Sequence, residues 1–189
     1  MTESKEPCFG PCLEPCLEAF PRWLGSLNED AVAMATLLVA ESIPLESRRH
    51  LAGSINYLFK SLDLIPDGIQ DLGYLDDAFV LRVAASLALD VPGTREADIR
   101  GVLVRLADDA TIIKALLGAD YTRLVNYVRA LGKGAARGRT VDEIMGDTSV
   151  RSETIRELHV WSKRYEAPSF SSDEQTLIKL RSFLSVRLP

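Results

Sequence analysis

The sequence predicts an all-α protein: a helical bundle that contains an Asp-rich helix hairpin and carries a C-terminal helical appendage. After the first 20 residues, apolar side chains recur at helical spacing almost everywhere, and no stretch alternates cleanly between apolar and polar residues as a half-buried strand does. The composition is 47% hydrophobic and 26% charged, as in an ordinary globular protein. At 189 residues the chain is long enough to bury one substantial core.

The predicted leader, residues 1–20, repeats a proline before each cysteine. A proline every fourth residue is expected to block the helix that would align the three thiols. A metal site or reversible lipid attachment remains an alternative, although zinc needs four ligands and the two histidines, His50 and His159, lie far along the chain. The pattern favours a partly ordered leader with reduced thiols. The cysteines are Cys8, Cys12 and Cys16.

Residues 21–132 are predicted to form the main bundle. A capping box of Ser26 with Glu29 announces a first helix that continues to about Ser42. Pro44 suits the first turn of a second helix. The apolar stripe of this second helix consists of Leu51, Ile55, Leu58, Phe59 and Leu62.

A third helix and three more are predicted before residue 132. The third steps by four from Leu75 to Leu87 and ends at Pro92-Gly93, after which Thr94 is expected to cap the next helix. Gly132 closes the last of them. The three later helices have apolar sets Ile99, Val102, Leu103 and Leu106; Ile112, Ile113, Leu116 and Leu117; and Leu124, Val125, Val128 and Leu131.

Residues 133–139, within GKGAARGR, are predicted to be a basic, flexible linker to C-terminal helices at 140–189. Two capping boxes, Thr140 with Glu143 and Ser171 with Glu174, are expected to open helices there. The chain carries a net charge of −5, but residues 133–189 have ten Lys/Arg against eight Asp/Glu. A nucleic-acid function would therefore be expected in this basic C-terminal part.

The stretch SLDLIPDGIQDLGYLDDAFVLR, residues 61–82, is predicted to be a helix hairpin. Pro66-Asp67-Gly68 has the composition of a turn. Asp71 stands where a helix N-cap would stand, and Asp76 and Asp77 lie near the first turn of the next helix, where the helix dipole favours carboxylates. Helix capping and the helix dipole explain these three aspartates without a catalytic or metal-binding role.

Arg82 is the one charged residue within the apolar run AFVLRVAASLAL, so it is expected to need an ionic partner against the core. Asp63 follows a helix whose C-terminal end repels an anion, so it is expected to need a cation. The sequence therefore predicts an Arg82–Asp63 ion pair that closes the hairpin.

The same aspartates leave a metal-binding alternative open. With Asp63 at position 1, a calcium-binding EF-hand loop would have Ile65 at position 3 and Tyr74 in place of the bidentate glutamate at position 12. The EF-hand pattern therefore fails. A looser Mg²⁺ or Mn²⁺ site remains, because hard cations accept carboxylates at many spacings. Its ligands would be Asp63, Asp67, Asp76 and Asp77.

These residues resemble a known family. DLIPD followed by GYLDD, between the apolar helices INYLFKSL and AFVLRVA, is similar to the YkvA-like family, domain of unknown function 1232, over about residues 50–88. The family pattern is close to SPIDLIPDFIPGLGYLDD, whereas this chain has Ser61-Leu62 in place of Ser-Pro-Ile and Gly68 in place of a bulky apolar residue. The resemblance implies a helical hairpin, often near membranes or attached to other modules, without an assigned activity. The motif residues are Asp63, Pro66, Asp67, Gly68, Gly73, Tyr74, Asp76, Asp77 and Arg82.

Residues 140–165 have the outline of a helix-turn-helix. The sequence predicts a short helix, a turn near Ser149-Val150 and a longer helix with Ile155, Leu158 and Trp161 facing inward. Glutamates on the second helix would meet phosphates badly, and an ordinary αα-corner explains the same pattern. The candidate DNA-binding residues, expected to face outward, are Arg151, Ser152, Thr154 and Arg156.

The predicted role is a non-enzymatic interaction or adaptor module with an unidentified protein partner, because no local sequence places a nucleophile beside a base. No cofactor is expected. A DNA-binding regulator and a divalent-metal-binding protein are the alternatives.

The longest apolar run, Ala31 to Ala40, is half of the roughly 20 residues that span a bilayer, and the first residues do not resemble a signal peptide. A cytoplasmic location is therefore expected, with peripheral membrane association left open.

Overall fold

A computed structural model describes residues 12–60, 63–66, 68–69, 72–98 and 100–189, and within them the predicted all-α fold is confirmed. The described residues form nine α-helices and one two-stranded sheet. In chain order the elements are α1 Leu13–Leu38, α2 Leu45–Tyr57, α3 Leu75–Leu89, α4 Thr94–Ala97, α5 Val102–Leu117, α6 Asp120–Leu131, β1 Ala135–Ala136, β2 Arg139–Thr140, α7 Val141–Gly146, α8 Thr148–Arg164 and α9 Glu174–Arg187.

Helix α3 forms the centre of the bundle. Its side chains are buried on nearly every face, as expected for a helix that is apolar all round. Helices α2 and α5 pack most extensively against it, and α1 and α6 also contact it. On the outside of this bundle, α8 lies against α1 and α7 lies against α2. Among the helices of the described residues, none combines the length and the hydropathy that a membrane-spanning helix requires.

The first helix begins at Leu13, so the predicted start at Ser26 was wrong. The Ser26 hydroxyl donates to Asp30 Oδ2 at 3.0 Å inside the helix and caps nothing. Proline was predicted to block a helix here, but it does not. Pro15 lies in its first turn, where the missing N–H has no intrahelical acceptor in any case. Pro21 lies in the interior, where burial of the surrounding apolar face offsets its cost.

Helix α5 begins and ends at residues other than those predicted, because the residue that caps its N-terminus was not predicted. One helix spans the segment where two were expected. Its start is held by Asp98, whose carboxylate accepts hydrogen bonds at 2.8–3.1 Å from three backbone N–H groups, those of Val102, Leu103 and Val104. Thr94, the predicted cap, is buried and shares a 2.6 Å hydrogen bond with the Ser47 hydroxyl.

One of the two capping boxes predicted in the C-terminal part is confirmed and the other was wrong. At α7 the box is confirmed: Thr140 Oγ1 accepts from the Glu143 N–H at 3.1 Å, and Glu143 accepts from the Thr140 N–H at 2.7 Å. At α9 the cap is Asp173, whose carboxylate accepts from the Thr176 N–H at 2.7 Å, and not the predicted Ser171 box. Aspartate is among the best N-cap residues, so it replaces a serine two positions earlier.

The segment predicted as a flexible linker contains a β-hairpin. Strands β1 and β2 pair antiparallel, with Ala135 opposite Thr140 and Ala136 opposite Arg139. Arg137 and Gly138 form the two-residue turn with φ values of 48° and 76°, the left-handed pair that tight hairpins require. The hairpin contacts α2 and buries Ala136. It therefore holds a fixed position beside the end of α2.

Gly53 allows the close approach of α2 to the end of α6. A Cβ placed at Gly53 would lie 2.9 Å from the Leu131 carbonyl carbon, whereas a Cβ at Gly25 in α1 would meet nothing within 4 Å. We expect Gly53→Ala to lower the free energy of unfolding by about 1–3 kcal/mol through overpacking. Gly25→Ala should raise it by about 0.5–1 kcal/mol, because alanine favours a helix over glycine. Chemical denaturation of both variants tests this, and equal effects of the same sign would contradict it.

Candidate functional site

A buried hydrogen-bond network anchors the connection between α2 and α3. The Tyr57 hydroxyl donates to Asp76 Oδ2 at 2.5 Å and accepts from the Leu64 N–H at 2.8 Å. The same carboxylate oxygen accepts from the Ile65 N–H at 2.9 Å. Burial raises the pKa of Tyr57, and the negative charges of Asp76 and Asp77 act in the same direction. The phenol therefore stays protonated and works as a donor at neutral pH.

The remaining hairpin residues are distributed between the core and the surface. Tyr74 precedes α3 with a φ of 64° and packs edge-on against Tyr165 at 5.4 Å. Asp67 and Asp71, the predicted turn and cap residues, lie outside the described residues. The other motif positions are Asp77 and Gly73, which are buried, Asp63, which is half-buried, and Pro66 and Gly68, which are exposed.

Arg82 is fully buried, and its partners come from two distant helices. Its guanidinium donates from Nε to Asp109 Oδ2 at 3.1 Å and from Nη2 to Asp30 Oδ2 at 3.3 Å. It also lies 4.2 Å from the centroid of the Trp23 ring. The predicted pair with Asp63 was wrong. Position 82 is seven residues into α3, about 10 Å along the helix from the end that receives the connection.

The pairing extends into a five-residue arrangement that we call the arginine cluster. Arg105 donates to Asp30 Oδ1 at 2.6 Å, and Arg22 lies 3.6 Å from Asp109. Burial lowers the pKa of Arg82 to about 10, while the two carboxylates oppose this shift. Arg82 therefore remains charged at neutral pH. The cluster, which ties α1, α3 and α5 together, consists of Arg22, Asp30, Arg82, Arg105 and Asp109.

The metal candidates are not brought together in the described part of the chain. Within it, no group of three or more His, Cys, Asp or Glu side chains is arranged to hold a metal ion. Cys8 lies outside the described residues. Cys12 and Cys16 are one turn apart at the start of α1, so the prediction that proline would prevent this helix was wrong. Burial raises the pKa of the Cys16 thiol to about 12, which keeps it protonated and unreactive.

The helix-turn-helix candidate differs from the prediction in its turn and in one facing residue. Helices α7 and α8 are joined at Asp147, whose carboxylate accepts from the Ser149 N–H at 2.7 Å, so Ser149 already belongs to α8. Thr154, predicted to face outward, is fully buried and donates to the Val150 carbonyl. The hydroxyl caps a carbonyl of its own helix and cannot contact a base.

The other candidate DNA-binding residues differ in their exposure. Arg151 is half-buried and donates to the Met145 carbonyl at 3.0 Å. Arg156 is exposed and pairs with Glu153 at 2.8 Å, and Ser152 is exposed. The start of α8 therefore presents a mixed surface in which arginine charge is partly balanced by its own helix.

A second surface, which we call the basic cleft, was not predicted. It is a cavity of about 460 Å³ between the end of α2, the hairpin turn and one face of α8. Two features of the sequence belong to this cleft, the basic GKGAARGR segment and Trp161, but its walls come from three separate parts of the chain. The lining residues are Phe59, Arg137, Arg156, Glu157, Val160, Trp161 and Arg164.

Stacked and paired arginines shape this cleft. The ring of Phe59 lies beneath two guanidinium groups, those of Arg137 at 5.2 Å and Arg139 at 5.3 Å. Arg139 also donates to Glu157 at 2.6 Å. This hydrogen bond is the main cause that lowers the pKa of Glu157, and the positive charges of Arg137 and Arg156 add to it. With three arginines and one glutamate in the lining, the cleft carries a positive field.

The arginine cluster predicts a large difference between two arginine substitutions. Arg82→Met removes a fully buried charge and leaves the two carboxylates with only their more exposed arginine partners, so we expect a loss of roughly 3–5 kcal/mol in the free energy of unfolding. Arg22→Met is the control, because Arg22 is 67% exposed and its ion pair should contribute less than about 1 kcal/mol. Urea denaturation measures both, and a near-wild-type Arg82→Met would refute the role of the cluster.

The hydroxyl of Tyr57 gives a separate prediction. Tyr57→Phe removes one donor to the buried Asp76 carboxylate and leaves the Leu64 N–H without its acceptor, so it should lower the free energy of unfolding by about 1–3 kcal/mol. Amide hydrogen exchange should accelerate at Leu64. Tyr127→Phe removes only a partly buried bond from Lys60 and should cost less than about 1 kcal/mol. Unchanged exchange at Leu64 would show that Tyr57 does not hold the connection.

Comparison with known protein families found a match over the hairpin segment. No curated protein and no solved structure matched the chain significantly. The predicted resemblance over about residues 50–88 is confirmed within a shorter segment, which contains both Tyr57 and Arg82. Residues 49–82 match the family described as "Protein of unknown function (DUF1232)", a partial match that covers most of α2, the connection and the first half of α3.

Proposed function

We propose that this protein is a non-enzymatic interaction module that binds a protein partner through the basic cleft. The observation that carries the proposal is the composition of the cleft, where a tryptophan, a partly exposed valine and three arginines line one cavity. Tryptophan and arginine are the residues that most often dominate binding energy at protein interfaces. Val160, 47% exposed on α8, adds apolar surface at the edge of the cleft.

The family segment supports a structural role rather than catalysis. Tyr57, Asp76 and Arg82 are each at most 1% exposed, and their polar atoms bind other parts of the bundle. A catalytic acid, base or nucleophile has to reach a substrate, and these groups face the interior. Their contribution to function is to hold helices in place.

The same segment positions one side of the cleft. Phe59 lies two residues after Tyr57, whose hydroxyl is fixed by Asp76 at the end of α2. The Phe59 ring is in turn the support on which Arg137 stacks. A cleft held this firmly loses little conformational entropy when a partner binds, which favours affinity.

DNA binding by residues 140–165 is the second candidate function. The exposure of Ser152 and Arg156 favours it, as does the net positive charge of residues 133–189. The partial burial of Arg151 and the inward orientation of Thr154 weigh against base contacts at those positions. Protein and DNA binding make different predictions for the same capture experiment.

A crosslinked pull-down of the tagged protein from its native cells, with proteins and DNA both quantified, tests the proposal. The cleft variant combines Arg156→Glu with Arg164→Glu, and the matched control combines Arg95→Glu with Lys114→Glu, two exposed positions outside the cleft. We expect recovery of specific protein partners to fall at least about tenfold, or about 1.4 kcal/mol, for the cleft variant alone.

Two results would contradict the proposal. Equal partner recovery from the cleft and control variants would mean that the cleft does not bind the partner. Specific recovery of DNA that is lost with Arg151→Ala, without cleft-dependent protein partners, would favour the DNA-binding candidate instead.

A further inference from the structure

The arrangement of charge and apolar surface in the basic cleft indicates the chemistry of its partner. We infer that the cleft binds a short acidic segment of a partner protein, with carboxylates on either side of one aromatic or bulky aliphatic residue. This inference rests on the proposed function and deepens it. Arginine recognises carboxylates through paired, charge-assisted hydrogen bonds, which are stronger than neutral ones.

The spacing of the cations along α8 gives the spacing of the acidic residues. Arg156 and Arg164 both line the cleft and are eight residues apart, which is about 12 Å along a helix. An extended segment advances about 3.3 Å per residue, so carboxylates about four residues apart would meet both arginines. Val160 and Trp161 lie between the two arginines on the same helix. The apolar residue of the partner therefore falls midway between its two acidic residues.

Arg137 supplies the third cation from the opposite side. It belongs to the turn of the hairpin, and its guanidinium is held over Phe59 at 5.2 Å. Stacking on an aromatic ring fixes the plane of the guanidinium without using its N–H donors. Those donors remain suited to a carboxylate or to backbone carbonyls of the bound segment. The segment would thus lie between α8 and the hairpin turn.

Nucleic acid fits the cleft less well than an acidic protein segment. Glu157 lines the cleft and stays ionised because Arg139 donates to it at 2.6 Å, so a continuous row of phosphates would pass a fixed negative charge. Glu153, paired with Arg156, adds another at the edge. The cavity of about 460 Å³ lies in the range of about 300–1,000 Å³ typical of pockets for compact groups. It suits one side chain with flanking backbone.

The test uses the purified full-length protein and fluorescein-labelled synthetic peptides. The probe peptide has two glutamates about four residues apart with phenylalanine midway, in a Gly/Ser background. One comparison peptide replaces both glutamates by glutamine, and another replaces the phenylalanine by serine. A single-stranded and a duplex oligonucleotide test the nucleic-acid alternative. Anisotropy gives Kd, and protein tryptophan emission reports contact, because Trp161 lines the cleft while Trp23 is buried in the core.

We expect the probe peptide to bind at least about tenfold more tightly than either comparison peptide, with a change in tryptophan emission that Trp161→Phe abolishes. Combining Arg156→Glu with Arg164→Glu should weaken binding at least about tenfold, whereas Arg95→Glu with Lys114→Glu should leave it unchanged. Circular dichroism checks that each variant is folded. If the glutamate pair loses structure, Arg156→Gln with Arg164→Gln removes the same charges without introducing repulsion.

Three outcomes would overturn the inference. They are equal binding of the glutamine peptide, equal binding of the serine peptide, and tighter binding of either oligonucleotide than of the probe. The failure of this inference is distinguishable from the failure of the proposed function. If the native pull-down recovers cleft-dependent protein partners while the acidic probe does not bind, the cleft binds a protein of other chemistry.

Discussion

The burial of the Arg82 charge is the constraint on which the bundle depends. A guanidinium with no exposed surface in the middle of an apolar helix is costly unless oppositely charged groups surround it. Asp30 on α1 and Asp109 on α5 supply those charges. The charge of Arg82 is therefore balanced only when α1, α3 and α5 pack with one relative shift along their axes and one rotation about them. A rearranged bundle would separate the charges and lose both pairs. The cluster therefore specifies which packing of three otherwise apolar helices is stable.

The segment that matches the DUF1232 family contains two anchors of different reach. Tyr57 binds locally, to Asp76 and the backbone of the connection, and fixes how α2 is joined to α3. Arg82 reaches outside the segment, to helices that the family match does not include. The hydrogen bonds of Tyr57 thus hold the hairpin from within the segment, whereas the ion pairs of Arg82 hold the hairpin against α1 and α5. The rest of the chain supplies those surroundings, together with most of the walls of the basic cleft.

Sequence reasoning succeeded where the controlling interaction is local. Helical periodicity predicted the all-α class, and the Thr140 box was confirmed because its two hydrogen bonds close within one turn. An identical spacing at Ser26 failed, because apolar residues before it continue the buried face of α1 toward Leu13. The need of Arg82 for a carboxylate was predictable from one element, but its partners, 52 and 27 residues away, were not. The basic cleft combines three distant segments, so no single stretch revealed it.

The separation of buried anchors from an exposed cleft has an energetic consequence. A polar group that both holds the fold and contacts a partner has to satisfy two geometries at once, whereas here Tyr57 and Arg82 have only interior partners. Arg156 and Arg164, at the surface, are free of that requirement, so their replacement should change binding with little effect on stability. Phe59 is the point of contact between the two sets. It is nearly buried, follows the Tyr57 anchor and carries Arg137 on its ring, so loosening of α2 would reach the cleft through this one side chain.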